Sequence, residues 1–420
     1  MVGGTERAGR RAAWRVATVA AALLFGGGPS TPCAAQPRGW RDLPPLDRPG
    51  SLAPNLTLTR HALLLTWLEP LAAPASGHAL RLARLEAGGW SAPVTVASGD
   101  LFANWADFPA LAEDRGGGLY AHWLAKTGPG KYAYSILVAR SSDGGRTWRT
   151  LGPLHEDRTE TEHGFVSFVR EADGVRAFWL DGRETARGGD MALRTALLEG
   201  DRIGASEVVD PRVCDCCQTA AARVVTGPAA AASVVAYRDR SAEEVRDISL
   251  SRAEAGRWTP AATAHRDGWK IPGCPVNGPV LAAGGVEPRL ALAWFTAADQ
   301  RPRVQVAFSG DAGRSFGAPV VVDGERPLGR VALVKVPGGE AIVAWLAVAG
   351  QEGEIRVRRV AANGRAGAPL TISAASQARA SGFPRLAVVG DELVVAWVAA
   401  GEPSRLRVGS VALAAIPAAR

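Results

Sequence analysis

One pattern of apolar and polar positions recurs seven times along the chain. An apolar stretch is followed by a short turn and then by an aliphatic run that ends in an aromatic residue, as in Leu63–Trp67 and Leu290–Trp294. The seven aromatics are separated by 51 to 58 residues, and they are Trp67, Trp123, Trp179, Tyr237, Trp294, Trp345 and Trp397. An alternating strand pattern follows each aromatic, and a fourth apolar segment completes all but the last unit. The repeat therefore predicts units of four short strands with turns between them.

Four-stranded units at this period predict an all-β fold, a β-propeller with seven blades. A six-bladed ring is the alternative, because the blade number is a count of repeats. The seventh unit ends after its third strand, Leu406–Leu413, whereas the segment Gly39–Leu46 has the pattern of a spare strand. We expect that N-terminal strand to complete blade seven and close the ring, which would remove an exposed edge. Residues 36–420 are thus expected to form a single propeller domain, with the aromatics of the second strands packed between blades.

Residues 1–35 have the pattern of a secretory signal peptide and not of a blade. Arginines between Arg7 and Arg15 precede the apolar run Val16–Phe25, and Cys33–Ala35 offers small residues for cleavage. The apolar run is too short for a membrane helix, and no later stretch reaches the roughly 18 apolar residues that a span needs. We therefore expect cleavage near Ala35 and a periplasmic or secreted protein without a membrane span.

The composition is that of an ordinary globular protein. Hydrophobic residues make up 47% and charged residues 21%, which excludes a disordered or collagen-like chain. The formal net charge is +7, but the charges are scattered and no basic run interleaves with aromatic residues. A nucleic acid is therefore not expected as a partner.

Two of the turns between third and fourth strands carry the same motif. The first turn reads SSDGGRTW and the second SGDAGRSF, and the shared positions are Ser141, Asp143, Gly145, Thr147 and Trp148, then Ser309, Asp311, Gly313 and Phe316. The carboxylate can accept backbone N–H bonds across the hairpin, the glycine takes a positive φ, and the aromatic packs under the turn. The motif resembles the Asp-box (BNR) repeat of sialidases and related propellers. The resemblance covers about residues 36–420.

The resemblance implies a sialidase-like propeller in which the Asp-boxes are structural, because in that family they lie on the face away from the ligand site. Sialidases usually have six blades and an arginine-containing motif that opens the first inner strand. Here seven repeats are present, and the corresponding segment Ala53–Leu58 contains no arginine. A propeller that binds a ligand is therefore favoured over a sialidase.

Polar and unusual residues concentrate in the loops of units two to five that would form one face of the ring. We expect a ligand-binding mouth there, with an anionic glycan or a protein segment as the partner. The candidate residues are Asn104, Trp105, His163, Asp181, Arg183, Arg238, Arg240, Arg246, Lys270 and Asn277. The arginines could make bidentate contacts with a carboxylate, sulfate or phosphate group.

An exo-sialidase-like glycoside hydrolase is the alternative function. Sialidases use a tyrosine nucleophile that a carboxylate activates. Tyr237 with Glu243 or Glu244, and Asp107 or Asp181 as the acid, could supply such a catalytic set, of which Tyr237, Glu243 and Asp107 are the candidates chosen. Against this, Tyr237 stands where the other units have a tryptophan, a position expected to lie in the core.

The cysteines are the most distinctive feature of the chain. Cys217 lies 20 residues before Tyr237, and Cys274 lies 20 residues before Trp294, so the two occupy equivalent positions in neighbouring units. Removal of the signal peptide leaves four cysteines: Cys214, Cys216, Cys217 and Cys274. In an oxidising compartment we expect disulfides, with no cofactor. The alternative is a metal or redox accessory protein whose cysteine cluster binds Cu or Zn.

Overall fold

The structure is a computed structural model that describes residues 36–419, apart from 228, 229, 285–288 and 400. The predicted signal peptide lies outside the described residues. Within the described part the chain forms seven antiparallel sheets, each of them a four-stranded blade. Three blades carry an additional two-residue strand at a hairpin end. The prediction of an all-β, seven-bladed propeller is confirmed, and the six-bladed alternative is excluded.

The strands of the first four blades follow one another along the chain. The N-terminal strand is β1 (Arg41–Asp42). Blade one has β2 (Leu52–Leu58), β3 (Leu63–Pro70), β4 (His78–Glu86), β5 (Gly89–Trp90) and β6 (Val94–Gly99). Blade two has β7 (Leu111–Glu113), β8 (Leu119–Lys126), β9 (Tyr134–Ser141) and β10 (Arg149–Pro153). Blade three has β11 (His163–Arg170), β12 (Val175–Asp181), β13 (Ala192–Glu199), β14 (Arg202–Ile203) and β15 (Glu207–Asp210). Blade four has β16 (Ala220–Gly227), β17 (Ala230–Arg238), β18 (Ile248–Glu254), β19 (Arg257–Trp258) and β20 (Ala262–His265).

The remaining blades have the same order. Blade five has β21 (Val280–Ala283), β22 (Leu290–Thr296), β23 (Arg303–Ser309) and β24 (Val320–Asp323). Blade six has β25 (Pro327–Lys335), β26 (Ala341–Ala349), β27 (Glu352–Val360) and β28 (Leu370–Ala375). Blade seven has β29 (Arg385–Val389), β30 (Glu392–Ala399) and β31 (Arg405–Ala412). The described residues also include four single 3-10 turns outside the strands: Thr185–Arg187, Ala298–Gln300, Arg379–Ser381 and Leu413–Ala415. No helix in the described residues is long and apolar enough to cross a membrane.

The fourth strand of blade seven comes from the N-terminal end of the described chain. Strand β1 pairs antiparallel with β31, with Arg41 opposite Ser410 and Asp42 opposite Gly409. Just before β1, Trp40 packs on Trp397 with their ring centroids 5.8 Å apart. The first strands of blades seven and one also contact each other. These first strands line a central channel of about 830 Å³.

The recurring aromatic residues are the core between the blades. The tryptophans at the ends of the second strands are at most 5% exposed. Their indole N–H groups often have a carboxylate partner: Trp179 Nε1 donates to Asp181 at 2.9 Å, and Trp345 Nε1 donates to Asp323 at 2.7 Å. The burial of these rings explains the period of the sequence, because each blade needs one large side chain at the same place.

Both Asp-box turns have the same hydrogen-bond network. Asp143 Oδ1 accepts the N–H of Thr147 at 3.0 Å, and Ser141 Oγ accepts the N–H of Gly145 at 2.9 Å. In the second box, Asp311 Oδ1 accepts the N–H of Ser315 at 2.9 Å, and Ser309 Oγ accepts the N–H of Gly313 at 2.8 Å. Gly145 has a φ of +90°, which favours glycine. Because these turns join third to fourth strands, they lie at the opposite ends of the strands from the loops that enter each blade.

Candidate functional site: the mouth of blades two to five

A large cavity lies where the loops entering blades two to five meet the loops between second and third strands. Its volume is about 1080 Å³. We call it the mouth cavity and define it by Trp105, Tyr132, Glu162, Cys216, Arg240 and Arg379, which all line it. Five of these residues come from blades two to four. Arg379 comes from the loop that enters blade seven.

Three of the ten predicted ligand-binding residues line the mouth cavity: Asn104, Trp105 and Arg240. Trp105 is fixed by packing, since its ring lies 6.0 Å from that of Phe383 and 5.0 Å from the guanidinium carbon of Arg330. Arg240 is held by carboxylates: it donates to Glu244 at 2.8 Å and lies 3.6 Å from Asp215. Its charge is therefore largely compensated within the protein.

Arg238, Arg246 and Asn277 are buried behind the cavity and do not line it. Arg238 is 1% exposed, and its nitrogens donate to main-chain oxygens of Asn277, Arg246 and Phe295. The side-chain oxygen of Asn277 accepts the N–H of Arg330 at 2.6 Å. These contacts bind neighbouring blades together. Lys270 is exposed on the blade-five loop and is not among the lining residues.

His163, Asp181 and Arg183 form a compact polar cluster in blade three, away from the lining of the mouth cavity. Arg183 donates to both oxygens of Asp181, at 2.7 and 2.8 Å. His163 Nε2 lies 3.1 Å from Asp157, and its ring stacks on His155 at 4.0 Å. His155, Asp157 and His163 could in principle hold a metal ion. The positive charge of Arg183 disfavours a metal ion at this position. Arg183 pairs with the Asp181 carboxylate, which also faces His163.

The predicted catalytic residues are not brought together at the mouth cavity. Tyr237 is 1% exposed, and its hydroxyl donates to Asp210 at 2.7 Å. Glu243 is exposed and accepts a hydrogen bond from Ser241. Asp107 is 4% exposed, and its carboxylate accepts the N–H of Phe165 at 2.6 Å. None of the three lines the cavity.

The candidate residues chosen from the sequence do not include a tyrosine–glutamate pair at the cavity wall. Tyr134 is fully buried, and its hydroxyl donates to Glu162 in a short hydrogen bond. Burial raises the pKa of Glu162 to about 7, so this carboxyl group is largely protonated in mildly acidic solution. The position of Glu162 next to His163 in a polar loop was the available signal. Tyr134 gave none, because it follows the loop as an ordinary strand residue.

Arg379 was also missed, because only the loops of units two to five were expected to form the site and Arg379 lies in the loop that enters blade seven. Arg379 is exposed in a 3-10 turn of the entering loop. Lys131, in the loop between the second and third strands of blade two, also lines the cavity. Its Nζ lies 5.2 Å from the ring centroid of Tyr132. Neither Lys131 nor Arg379 forms an ion pair with any residue in the described part of the chain.

The cysteines of blade four converge. The sulfurs of Cys214, Cys216 and Cys217 lie within 4.8 Å of one another, and we call these three residues the thiol cluster. Cys274 of blade five lines the mouth cavity together with Cys216. The sulfurs of Cys214 and Cys217 are 3.6 Å apart, well beyond the bonded distance of about 2.05 Å. All four described cysteines are thiols in this structure, so the expected disulfides are not shown.

The charges around the thiol cluster favour an anionic sulfur. Hydrogen bonds from Cys216 and Cys217, and then the charges of Arg238 and Arg246, lower the pKa of Cys214. Arg246 Nη1 donates to the Cys214 sulfur at 3.1 Å. The same network raises the pKa of Cys216, the sulfur that opens toward the mouth cavity.

Comparison with protein families and with characterised protein sequences finds no match for this chain. Among solved structures it is similar to an ulvan lyase, with a TM-score of 0.57 and 12% identity over 90% of this chain and 100% of the other. It is also similar to an α-L-arabinanase from Penicillium chrysogenum, with a TM-score of 0.50 and 15% identity over 90% of this chain and 99% of the other. A sialidase from Streptococcus pneumoniae gives a TM-score of 0.46 and 10% identity over 92% of this chain and 70% of the other. At such identities, what the chain shares with the first two structures is the propeller fold.

Proposed function

We propose that the protein binds an acidic oligosaccharide in the mouth cavity. The observation that carries this proposal is the pair of cations, Lys131 and Arg379, that line the cavity without a carboxylate partner among the described residues. Arg240, the third cation of the lining, is already paired with Glu244 and Asp215. Two positive charges without a salt-bridge partner at one concave surface, against the single carboxylate of Glu160 beside them in the lining, favour a ligand with carboxylate or sulfate groups.

The shape of the cavity supports a ligand larger than a monosaccharide. Its volume of about 1080 Å³ lies at the upper end of the range for small-molecule sites. Tyr132 is 54% exposed at its edge and offers an aromatic face against which a sugar ring can pack. Trp105 is held in place by Phe383 and Arg330, so this part of the wall is preorganised.

The protonated carboxyl group of Glu162 would serve as a hydrogen-bond donor to a sugar or an acidic substituent. Its carboxylate form would repel an anionic ligand. Binding should therefore weaken as the pH rises through about 7. The ulvan lyase and the arabinanase are named for polysaccharides, which agrees with a saccharide ligand. A sialidase-type hydrolysis by Tyr237, Glu243 and Asp107 is not part of the proposal, because those residues do not line the cavity.

Calorimetric binding to uronic-acid and sulfated tetrasaccharides, each with a neutral counterpart of equal length, tests the proposal. We expect an acidic member to bind and its neutral counterpart to bind at least tenfold more weakly, with affinity falling as salt is added. Lys131→Gln and Arg379→Gln should each weaken binding about tenfold, the scale of one charge-assisted hydrogen bond.

Arg202→Gln is the matched control, since Arg202 is exposed on β14 and lines none of the cavities described above. Equal affinity for acidic and neutral oligosaccharides, or unchanged affinity in both mouth variants, would refute the proposal. Binding of an acidic peptide in place of every saccharide would also refute it, and would point to a protein partner.

A further inference from the structure

Three thiols of blade four meet at one point beside the mouth cavity. The thiol cluster lies on the loop that enters blade four, and Cys274, on the loop that enters blade five, lines the same cavity. Cys214 and Cys217 are 1% and 2% exposed, whereas Cys216 and Cys274 line the mouth cavity. The group is thus closed on the protein side and open on the cavity side, as a site that exchanges a small ion must be.

The spacing of the sulfurs fits a single metal ion. A metal about 2.3 Å from each sulfur holds the sulfurs about 3.8 Å apart in tetrahedral geometry and about 4.0 Å apart in trigonal geometry. The sulfurs of Cys214 and Cys217 are 3.6 Å apart, and all three of the thiol cluster lie within 4.8 Å of one another. Only small side-chain rotations separate this arrangement from a shared ion.

Two buried guanidinium groups supply the positive charge that a thiolate site needs. Arg246 Nη1 lies 3.1 Å from the Cys214 sulfur. Arg238 is 1% exposed, and its hydrogen bonds go to main-chain oxygens and to no carboxylate in the described part of the chain. A buried charge without an anionic partner is costly. The thiol cluster lies next to this charge, because the Cys214 N–H donates to the main-chain oxygen of Arg238 at 3.0 Å, and a metal-bound thiolate would be its anionic partner.

We infer that the thiol cluster is a binding site for Cu(I). Thiolates are soft ligands that select Cu(I), Zn(II) and iron–sulfur clusters. Structural Zn(II) takes four ligands in a closed tetrahedral site. Here three sulfurs form the compact group, and Cys274 is not a member of it. Three thiolates around a monovalent ion leave two negative charges. Arg246 faces them with Nη1 while its Nη2 donates to Glu244 at 2.8 Å, and Arg238 lies behind Cys214.

The site goes beyond saccharide binding and can be tested separately from it. The reduced protein, handled without oxygen, is titrated with Cu(I) in competition with a chromogenic Cu(I) chelator. We expect one Cu(I) per chain, a new ultraviolet thiolate-to-copper absorption, and protection of three thiols from alkylation. X-ray absorption should show copper surrounded by three sulfurs. Saccharide binding by Lys131 and Arg379 variants is a different readout, so either proposal can fail alone.

Cys216→Ser is the decisive variant, because Cys216 is partly exposed and its replacement puts the fold at least risk. It should lower the affinity for Cu(I) at least a hundredfold, with an unchanged thermal transition of the metal-free protein. Cys274→Ser is the matched control: it removes a thiol of the same mouth but leaves the compact group, so one Cu(I) should still bind.

Several results would overturn the inference. One is wild-type protein that takes no Cu(I) from the chelator, or a Cys216→Ser protein that binds as tightly as wild type. Another is displacement of Cu(I) by equimolar Zn(II). The last is protein isolated from the export compartment with two disulfides in place of four thiols, which a mass about four hydrogens below the full-thiol mass would reveal. Because alkylation protection is measured on the wild-type chain, a variant that fails to fold does not leave the question open.

Discussion

Arg238 of blade four donates two hydrogen bonds to the main-chain oxygen of Asn277 in the loop that enters blade five, at 3.1 and 2.7 Å. The same guanidinium donates to the main-chain oxygen of Phe295 at 2.8 Å and lies over the ring of Trp269 at 4.8 Å. A side chain that the sequence suggests as a ligand-binding arginine is therefore a clamp between two blades. The same residue adjoins the thiol cluster, because the N–H of Cys214 donates to its main-chain oxygen.

Arg238→Met should lower the free energy of unfolding by about 3 kcal/mol, because it leaves buried carbonyl oxygens without donors. Chemical denaturation monitored by tryptophan fluorescence measures the change. Arg202→Met, on the exposed edge of blade three, is the control and should change the free energy by less than about 0.5 kcal/mol. A loss below about 1 kcal/mol in Arg238→Met would show that the clamp contributes little.

His122→Phe should stabilise the protein. His122 is fully buried in β8 at 5.5 Å from the ring of Phe168, and neither ring nitrogen has a hydrogen-bond partner in the described structure. Burial lowers the pKa of His122 to about 3. The unfolded chain takes up this proton near pH 6.5 and the folded chain does not, so wild-type stability falls as the pH drops from about 6.5 toward 3.

The gain from His122→Phe should be about 1 to 3 kcal/mol at pH 7, the cost of an unsatisfied buried polar group, and larger at pH 5. Thermal unfolding at the two pH values measures it. His61→Gln, at an exposed histidine, is the control and should leave both transitions in place. A variant that is destabilised equally at both pH values would contradict the expected role of His122.

Glu162→Gln should remove a loss of stability that occurs as the pH rises. This pH dependence is opposite in sign to that of His122. Burial raises the folded-state pKa of Glu162 to about 7 from an ordinary value of 4.5. The folded protein therefore holds a proton that the unfolded chain releases, and stability is lost as the pH rises from about 4.5 through 7. Glutamine keeps an acceptor for the Tyr134 hydroxyl and removes the titration.

Denaturation between pH 4 and 8 gives the slope of the unfolding free energy against pH. The number of protons released on unfolding should differ by up to one between the two proteins, and Glu162→Gln should be the more stable at pH 8. Burial also raises the pKa of Asp107 to about 7, but that group is present in both proteins and cancels in the comparison. Parallel stability curves would mean that Glu162 does not titrate in this range.

Asp311→Asn should destabilise the second Asp-box near neutral pH only. Although partial burial opposes the effect, hydrogen bonds from Ser315 and Ser309 lower the pKa of Asp311 to about 2. The stability that this carboxylate contributes is complete above about pH 4 and is lost as the pH falls through about 2. The variant should therefore melt at a lower temperature than wild type at pH 7, and the two melting temperatures should converge near pH 2. Glu325→Gln, outside the box, serves as the control.

Much of the fold could be predicted from the chain alone, because each blade buries the same kinds of residue at the same places. The regular spacing of Trp123, Trp179 and Trp294 predicted the second strands. Asp143 and Gly145 predicted the turn between a third and a fourth strand. These signals are local: they depend on residues within one strand pair or one hairpin. Their count favoured seven blades over six, and the structure shows seven.

The site could be predicted only in outline. The loops of blades two to five do form the mouth cavity, but the sequence does not tell which of their polar residues face it. Tyr237 and Arg238 show why, since they are neighbours on β17 and both are buried. In a two-layer protein, alternation along a strand separates a buried face from an exposed one. In a propeller both faces of a blade pack against other blades, so alternation carries no such information.

By itself, then, the sequence determined the repeating blade, the burial of its aromatics and the geometry of the Asp-box turns, because short-range hydrogen bonding and hydrophobic periodicity set all three. The tertiary structure decided which distant loops meet. Only the closed ring brings Arg379 of blade seven to the same cavity as Lys131 of blade two, and Cys274 of blade five to the cavity that Cys216 of blade four lines. Residues far apart in the chain have no local pattern that records their contact, because ring packing alone places them together.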